Sequence, residues 1–198
     1  GEVLSIDCAA RLVQMQVGAS IAFDVLIVAP GSRHSYFGHD AWEQFAPGLK
    51  TLGDAVYLRN KMLLAFEEAE QRQVATGIRE RLTFVIVGGG STGVELAGAL
   101  AEIGRKAMGP DFPHLHLDDL AILLVEGGSH ILPGFSADLS MKAATALERM
   151  GVTVRLNSTV SEIRADGVMI GSEFVRSTSI IWAAGNKASP LLTSLAVP

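Results

Sequence analysis

The chain has one cysteine, Cys8. That excludes a disulfide framework and any Cys-x-x-Cys redox pair within these residues, and Cys8 reads as an inert small hydrophobe or a half-exposed residue. No stretch approaches the roughly 18 uninterrupted apolar residues of a membrane span, and Gly1 does not open a signal peptide. A basic block is also missing. The 16 Lys and Arg are scattered among 21 Asp and Glu, for a net charge of −5. Nucleic acid and anionic membranes recruit clustered cations, so neither is an expected partner. There is no Walker loop, Gly-x-Ser-x-Gly elbow or Cys–His pair. What remains is a chain of 198 residues, 48% hydrophobic. It reads as soluble and cytoplasmic, and can bury one full domain plus a piece of another.

Its organisation falls into sections. Residues 1–31 read as a β-meander feeding a buried strand. Val13, Met15 and Val17 alternate with Gln14 and Gln16, and Ile21 to Val28 runs apolar as a parallel strand does. Residues 32–47 lack a period and read as a loop or linker. A helix is expected from Asp54 to before Thr76-Gly77, with Val56, Met62, Leu63, Phe66 and Ala69 on its inner face. Strand and helix then alternate. "LTFVIV" and "LAILLVE" are buried strands, and Thr92–Met108 is a helix. Ser136 to Gly151 bounds a second helix, and "VTVRL" is a strand with Val152, Val154 and Leu156 on one face. Asp166-Gly167 turns a second meander, and "SIIWAAG" is the last buried strand. The reading is α/β, a Rossmann-like parallel sheet with a β-meander, spanning 48–198 and preceded by an incomplete β-rich piece, 1–47. "DVLIVAPG" (24–31) and "TSIIWAAG" (178–185) echo one another, as two nucleotide-binding units would.

The stretch "TFVIVGGGSTGVELAGAL" carries the chemistry. Gly88-Gly89-Gly90-Ser91-Thr92-Gly93 fits Gly-x-Gly-x-x-Gly between a strand and a helix. Gly88 suits the tight turn, Gly90 the approach of backbone to a pyrophosphate, and Gly93 close helix–strand packing. Amides and dipole at the helix start favour phosphate charge. Glu126 ends the next apolar run, where an acid accepts from ribose hydroxyls and repels a 2′-phosphate. No Lys or Arg follows in "GGSHILPGF", so NADH is expected over NADPH. A ligand-free glycine turn and a merely exposed acid are the plain alternatives. Glu95 is by itself only a favourable acid early in a helix.

Asp111, His114, His116, Asp118 and Asp119 tempt a metal reading. They sit on an apparent loop without a remote ligand cluster, so no metal is expected and the segment reads as a solvated insertion. Trp42 and Phe45 read as linker packing.

"GGGSTGVELAGALAE", "SRHSYFGHDAWEQFAPGLKTLGDA", "LLVEGGSHILPGFSADLS" and "IIWAAGNKASPLL" together resemble segments of the type II NADH dehydrogenases, the single-chain, non-pumping NADH:quinone oxidoreductases. The resemblance covers nearly the whole chain. It implies an NADH domain inserted into an FAD domain, hydride transfer from NADH to FAD, and electrons passed to a quinone. No residue of the chain is expected to act as a catalytic acid or base, since the cofactors perform that chemistry. By the same likeness Glu95 lies near the nicotinamide, Glu126 is the ribose acid, and Ala184 and Gly185 line the NADH cleft. Ala29 and Gly31 fall in a segment beside the flavin, usually Ala-Thr-Gly, from which Pro30 departs. The chain would be the middle slice of such a protein, inactive and without FAD by itself. Membrane contact, peripheral and on the inner face, would come through a later region, and an oligomer is compatible with the family. A ferredoxin- or rubredoxin-reductase-like flavoprotein and a non-catalytic NADH-sensing module stay open as alternatives.

Overall fold

The computed structural model describes residues 1–79, 81–107 and 111–195. It divides the chain into two compact units, one of residues 1–35 with the segment from Asn186 on, the other Tyr36–Gly185. The expected boundary at 47/48 therefore falls inside the larger unit, and the segment after Gly185 belongs to the smaller.

The smaller unit begins as an antiparallel meander of β1 (Val3–Asp7), β2 (Leu12–Met15) and β3 (Ile21–Ala22). Alternation puts Ile6 and Val13 inward as a cross-strand pair. Val17 falls beyond β2 and is exposed. The expected strand to Val28 does not form. The ladder stops at Ala22, and among the described residues no strand is hydrogen-bonded to the rest of the run; Leu26, Ile27 and Val28 instead line a cavity with Ile6 and Val13. A buried strand needs partners for its backbone N–H and C=O groups; Phe23 N–H still reaches Arg11 O, but no described strand pairs with 24–28. The short strand β4 (Ser32–His34) follows.

The larger unit opens with packing where a linker was expected. Tyr36 is buried and its hydroxyl donates to Ala46 O at 2.9 Å. A 3-10 turn covers Asp40–Gln44. Burial, reinforced by the charges of Glu43, Asp54 and Asp40, pushes the Tyr36 hydroxyl well above the ordinary phenol value. Helix α1 (Leu52–Thr76) begins two residues before the expected Asp54. Thr51 is the cap: its hydroxyl accepts from Asp54 N–H at 3.1 Å, while Asp54 Oδ2 accepts from Thr51 N–H at 2.8 Å. This reciprocal pair satisfies donors that the first helical turn leaves orphaned. Gly77 ends the helix at φ 68°, its N–H donating to Gln73 O. The buried face is Leu58, Met62, Phe66 and Ala69; Val56 is exposed and Leu63 only half-buried.

Strand β5 (Leu82–Val87), helix α2 (Ser91–Ala107), strand β6 (Leu120–Val125), helix α3 (Ala137–Arg149) and strand β7 (Val152–Arg155) follow. The meander β8 (Val160–Arg164), β9 (Gly167–Ile170) and β10 (Glu173–Arg176) leads to β11 (Ser179–Trp182). The parallel sheet has the order β11-β5-β6-β7. Alternate residues feed two cores. Phe84, Ile86, Ile122, Leu124 and Ile181 meet α1, α2 and α3 on one face. Val85, Val87, Leu123, Val125, Ile180 and Trp182 meet the meander, Tyr36 and Ala46 on the other. With about 1.5–3 kcal/mol for each fully buried large apolar side chain, two covered faces explain why these strands read as continuous apolar runs. Tyr36 stacks on Trp182 at 5.0 Å between ring centroids, and Trp42 lies 5.8 Å from it. Finally β12 (Asn186–Ala188) returns the chain to the smaller unit by pairing with β4. That pairing is why the unit boundary comes at Gly185.

Candidate functional site

The glycine bend lies where β5 ends between its two neighbours. Gly88 N–H donates to Val125 O of β6 at 2.8 Å, and Ala183 N–H, just past β11, donates to Val87 O at 2.8 Å. The chain leaves β5 toward β6 on one side and returns as β11 on the other. Such a switch in strand order opens a crevice at the carboxyl ends, where α/β sheets take ligands.

Each of three glycines meets a different demand. Gly88 has φ 112°, and a Cβ there would stand 2.7 Å from the backbone of Ala183 and Ala184. At Gly93 a Cβ would sit 1.9 Å from Gly88 O, so the first turn of α2 can close onto the bend only without a side chain. Gly90 faces open space, and a Cβ there would meet nothing within 4 Å. The bend is thus tight at its base and open at its tip.

Helix α2 starts at Ser91, and Val94 N–H is bonded back to Gly90 O at 3.0 Å. The amides of Ser91, Thr92 and Gly93 precede that first helical bond and have no intrahelical acceptor. Ser91 and Thr92 are exposed. Two other donors of the bend are committed: Gly88 N–H to Val125 O, and Gly89 N–H to Glu126 Oε2 at 2.6 Å. The donors left for an anion are those at the open tip.

Glu126 follows β6 directly. Its N–H donates to Arg155 O and its carbonyl accepts from Ser158 N–H. Its carboxylate turns back to the bend, taking Gly89 N–H on one oxygen and Gly128 N–H, at 2.7 Å, on the other. Ala184 and Gly185 are half-buried past the end of β11, Ala184 against Gly88. Glu95 is exposed on the second turn of α2. The structure therefore gathers Gly88, Gly89, Gly90, Ser91, Thr92, Gly93, Glu126 and Ala184 at one end of the sheet. Ala29 and Gly31 lie in the smaller unit, both exposed. Sequence reasoning passes over Gly128, although the Gly-Gly pair straight after a strand-end acid signals a carboxylate folding back onto backbone.

Two members of the metal-like cluster, His114 and Asp119, have side-chain partners. His114 Nδ1 bonds Glu70 Oε1, and His114 N–H donates to the same carboxylate. Arg79 pairs with Asp119. Phe112 and Leu115 are buried, Phe112 against Phe66 of α1 at 5.5 Å. The segment is solvated as expected at Asp111, His114, His116 and Asp118, which are exposed, while Phe112 and Leu115 anchor it in the core beside α1. Met108 and its two successors lie outside the described residues.

The profile of the family described as Pyridine nucleotide-disulphide oxidoreductase matches residues 1–198. The chain is 38% identical to the type II NADH:quinone oxidoreductase NdhA of Mycobacterium tuberculosis, over 96% of this chain and 42% of that protein. It is 34% identical to the oxidoreductase Ndh of the same organism, over 99% and 44%. The chain thus spans less than half the length of these curated relatives. In fold it matches NDH2 from Plasmodium falciparum, solved in complex with NADH, with a TM-score of 0.84 at 21% identity, covering 98% of this chain and 42% of that one. A ferredoxin reductase from Rhodopseudomonas palustris matches with a TM-score of 0.69 at 18% identity, over 93% and 40%. No helix among the described residues is long and apolar enough to cross a membrane.

Proposed function

The chain belongs to the pyridine nucleotide-disulphide oxidoreductase family, and from that premise we infer that it is the NADH-binding part of a longer, FAD-dependent NADH:quinone oxidoreductase. The observation that carries the reading is the bend itself: tight at Gly88 and Gly93, open at Gly90, at a helix start, beside a carboxylate just past the end of the next strand. A dinucleotide fits this arrangement. The amides of Gly90, Ser91 and Thr92, at the positive end of α2, would hold the diphosphate. Glu126 has one lone pair free on each oxygen for ribose hydroxyls, and Glu95, Ala184 and Gly185 would border the nicotinamide end. When bound, the nicotinamide supplies a hydride for the flavin of the longer protein.

The chain's residues bind and orient; none is assigned proton transfer. In the smaller unit no described α-helix follows a glycine bend, so Ala29 and Gly31 are the only flavin contacts proposed. Quinones partition into lipid, so the whole protein is proposed to work at a membrane surface; the inner face is what the family resemblance implies. The sequence relatives favour quinone as acceptor; the fold match to a ferredoxin reductase keeps a protein acceptor as the second reading. Oxidation of NADH by the full-length protein, with quinone and ferredoxin compared, separates them.

The test of the site is a titration. A fixed carboxylate facing a 2′-phosphate should weaken NADPH relative to NADH by about tenfold or more, since each 1.4 kcal/mol is a factor of ten. Equal affinities would defeat the assignment.

A further inference from the structure

Glu126 is held more firmly than a sugar contact requires. Each carboxylate oxygen accepts a backbone N–H, Oε2 from Gly89 at 2.6 Å and Oε1 from Gly128 at 2.7 Å. Both donors are glycines that the carboxylate crowds. A Cβ at residue 89 would stand 2.9 Å from Oε2, and one at residue 128 would stand 3.1 Å from Oε1. The two glycines are themselves anchored. Gly89 O accepts from Leu132 N–H at 2.7 Å, and Gly128 O accepts from Asn157 N–H at 2.9 Å. One side chain thus joins the bend after β5 to the loop after β6, and through them to the approach to α3 and the exit of β7.

We propose that Glu126 is a positioning residue for the glycine bend: it latches Gly89 to Gly128 and pre-forms the cradle of Gly90, Ser91 and Thr92, independently of any sugar it also touches. The proposal rests on the dinucleotide reading of this site. A carboxylate suits both tasks because it offers about four lone-pair positions. Two are taken by backbone donors, which are charge-assisted and short, and two remain for hydroxyls. Glutamine has the same shape but only one accepting oxygen. Its amide group would face a backbone N–H donor to donor, leaving that N–H unpaired. Exchanging the acid for its amide should therefore not simply admit NADPH. It should loosen the cradle for every anionic ligand, including one with no ribose hydroxyl to offer.

The test compares wild-type chain with Glu126→Gln, titrated with ADP and with 2′,3′-dideoxy-ADP, alongside amide exchange at Gly89, Gly128 and, as an internal standard, Leu124. A latch predicts that the variant weakens dideoxy-ADP by about tenfold, the scale of one orphaned N–H. Exchange at Gly89 or Gly128 should rise by a similar factor while Leu124 is unchanged. Gly128→Ala, which crowds Oε1 and leaves Glu126 in place, should reproduce the loss. Affinity for dideoxy-ADP within about twofold of wild type, with unchanged exchange at both glycines, would overturn the proposal and leave a sugar contact alone. If wild-type chain binds neither ADP nor NADH, the dinucleotide reading fails instead, and the exchange rates of Gly89 and Gly128 still decide whether the latch exists.

Discussion

Segments 24–31 and 178–185 are apolar runs that end in Ala-x-Gly after a meander, and they fold differently. All four residues of β11 are buried, with β5 beside them in parallel register from Ser179 opposite Phe84 to Trp182 opposite Val87. In the other segment Val25 and Ile27 are 85% and 89% exposed. Only the closing glycines agree: Gly31 and Gly185 both have φ 70°. Local backbone preference is thus the same at the end of each run, while the strand itself depends on neighbours. An apolar run becomes a buried strand only where ladders and covering layers satisfy its backbone and its side chains.

The comparison breaks most sharply at Gly88, against which β11's continuation packs and for which 24–31 has no counterpart. Gly88→Ala combines an unfavourable positive φ with a collision of backbone on backbone. It should cost about 3 kcal/mol or more in urea denaturation. A cost under about 1 kcal/mol would mean that the end of β11 is free to move away. Next comes a matched pair. Ile181 is buried and Ile27 is not, so Ile181→Ala should cost about 2–4 kcal/mol and Ile27→Ala less than about 0.5 kcal/mol. Similar costs would erase the distinction. If the chain is part of a longer flavoprotein, Ile27→Ala should cost clearly more there, where a partner strand can cover it. Gly31→Ala tests what the two segments share. With open space around it and φ 70°, it should cost about 1–2 kcal/mol from backbone conformation alone.

What the residues disclose without coordinates follows the same division. The strands β5, β6 and β11 are legible because burial on both faces leaves continuous apolar runs, and the bend because its glycine spacing directly follows a strand and opens a helix. The close approach of Ala183 and Ala184 to Gly88 is not legible, since it comes from the residues just past a distant strand. Ser136 and Gly151 are visible as punctuation, though Ser136 makes no side-chain cap bond. The apolar pattern starts α1 too late, although its Thr51-x-x-Asp54 pair is a cap signal. The packing of Tyr36 and Trp42 on Trp182 is invisible because loops that bury aromatics across more than a hundred residues leave no period to read. The turn of Glu126 toward Gly128 is local and follows from the Gly-Gly pair after it, whereas its contact with Gly89, 37 residues away, is set by the chain's path and not by spacing.

Segment 111–119 is the intermediate case, aperiodic like a linker yet held by Phe112, Leu115 and the bond between His114 and Glu70. It gives a small effect with a pH signature. Burial raises the Glu70 carboxyl, but the hydrogen bonds from His114 and the Leu115 amide, with the His114 charge, outweigh it and hold the group below its ordinary value of 4.5. A carboxyl depressed by folding binds fewer protons in the native state than in the unfolded chain. Its stabilisation is therefore complete above the ordinary carboxyl range and fades as pH falls through the lower native value. Glu70→Gln should melt below wild type near neutral pH, by no more than about 1 kcal/mol for a partly exposed pair. The gap should close as pH drops from about 5 to about 3. Wild type and variant melting alike across that range would show that the Glu70 carboxylate does not hold the segment, and would move it toward the side of the comparison where apolar neighbours such as Phe112 and Leu115 decide.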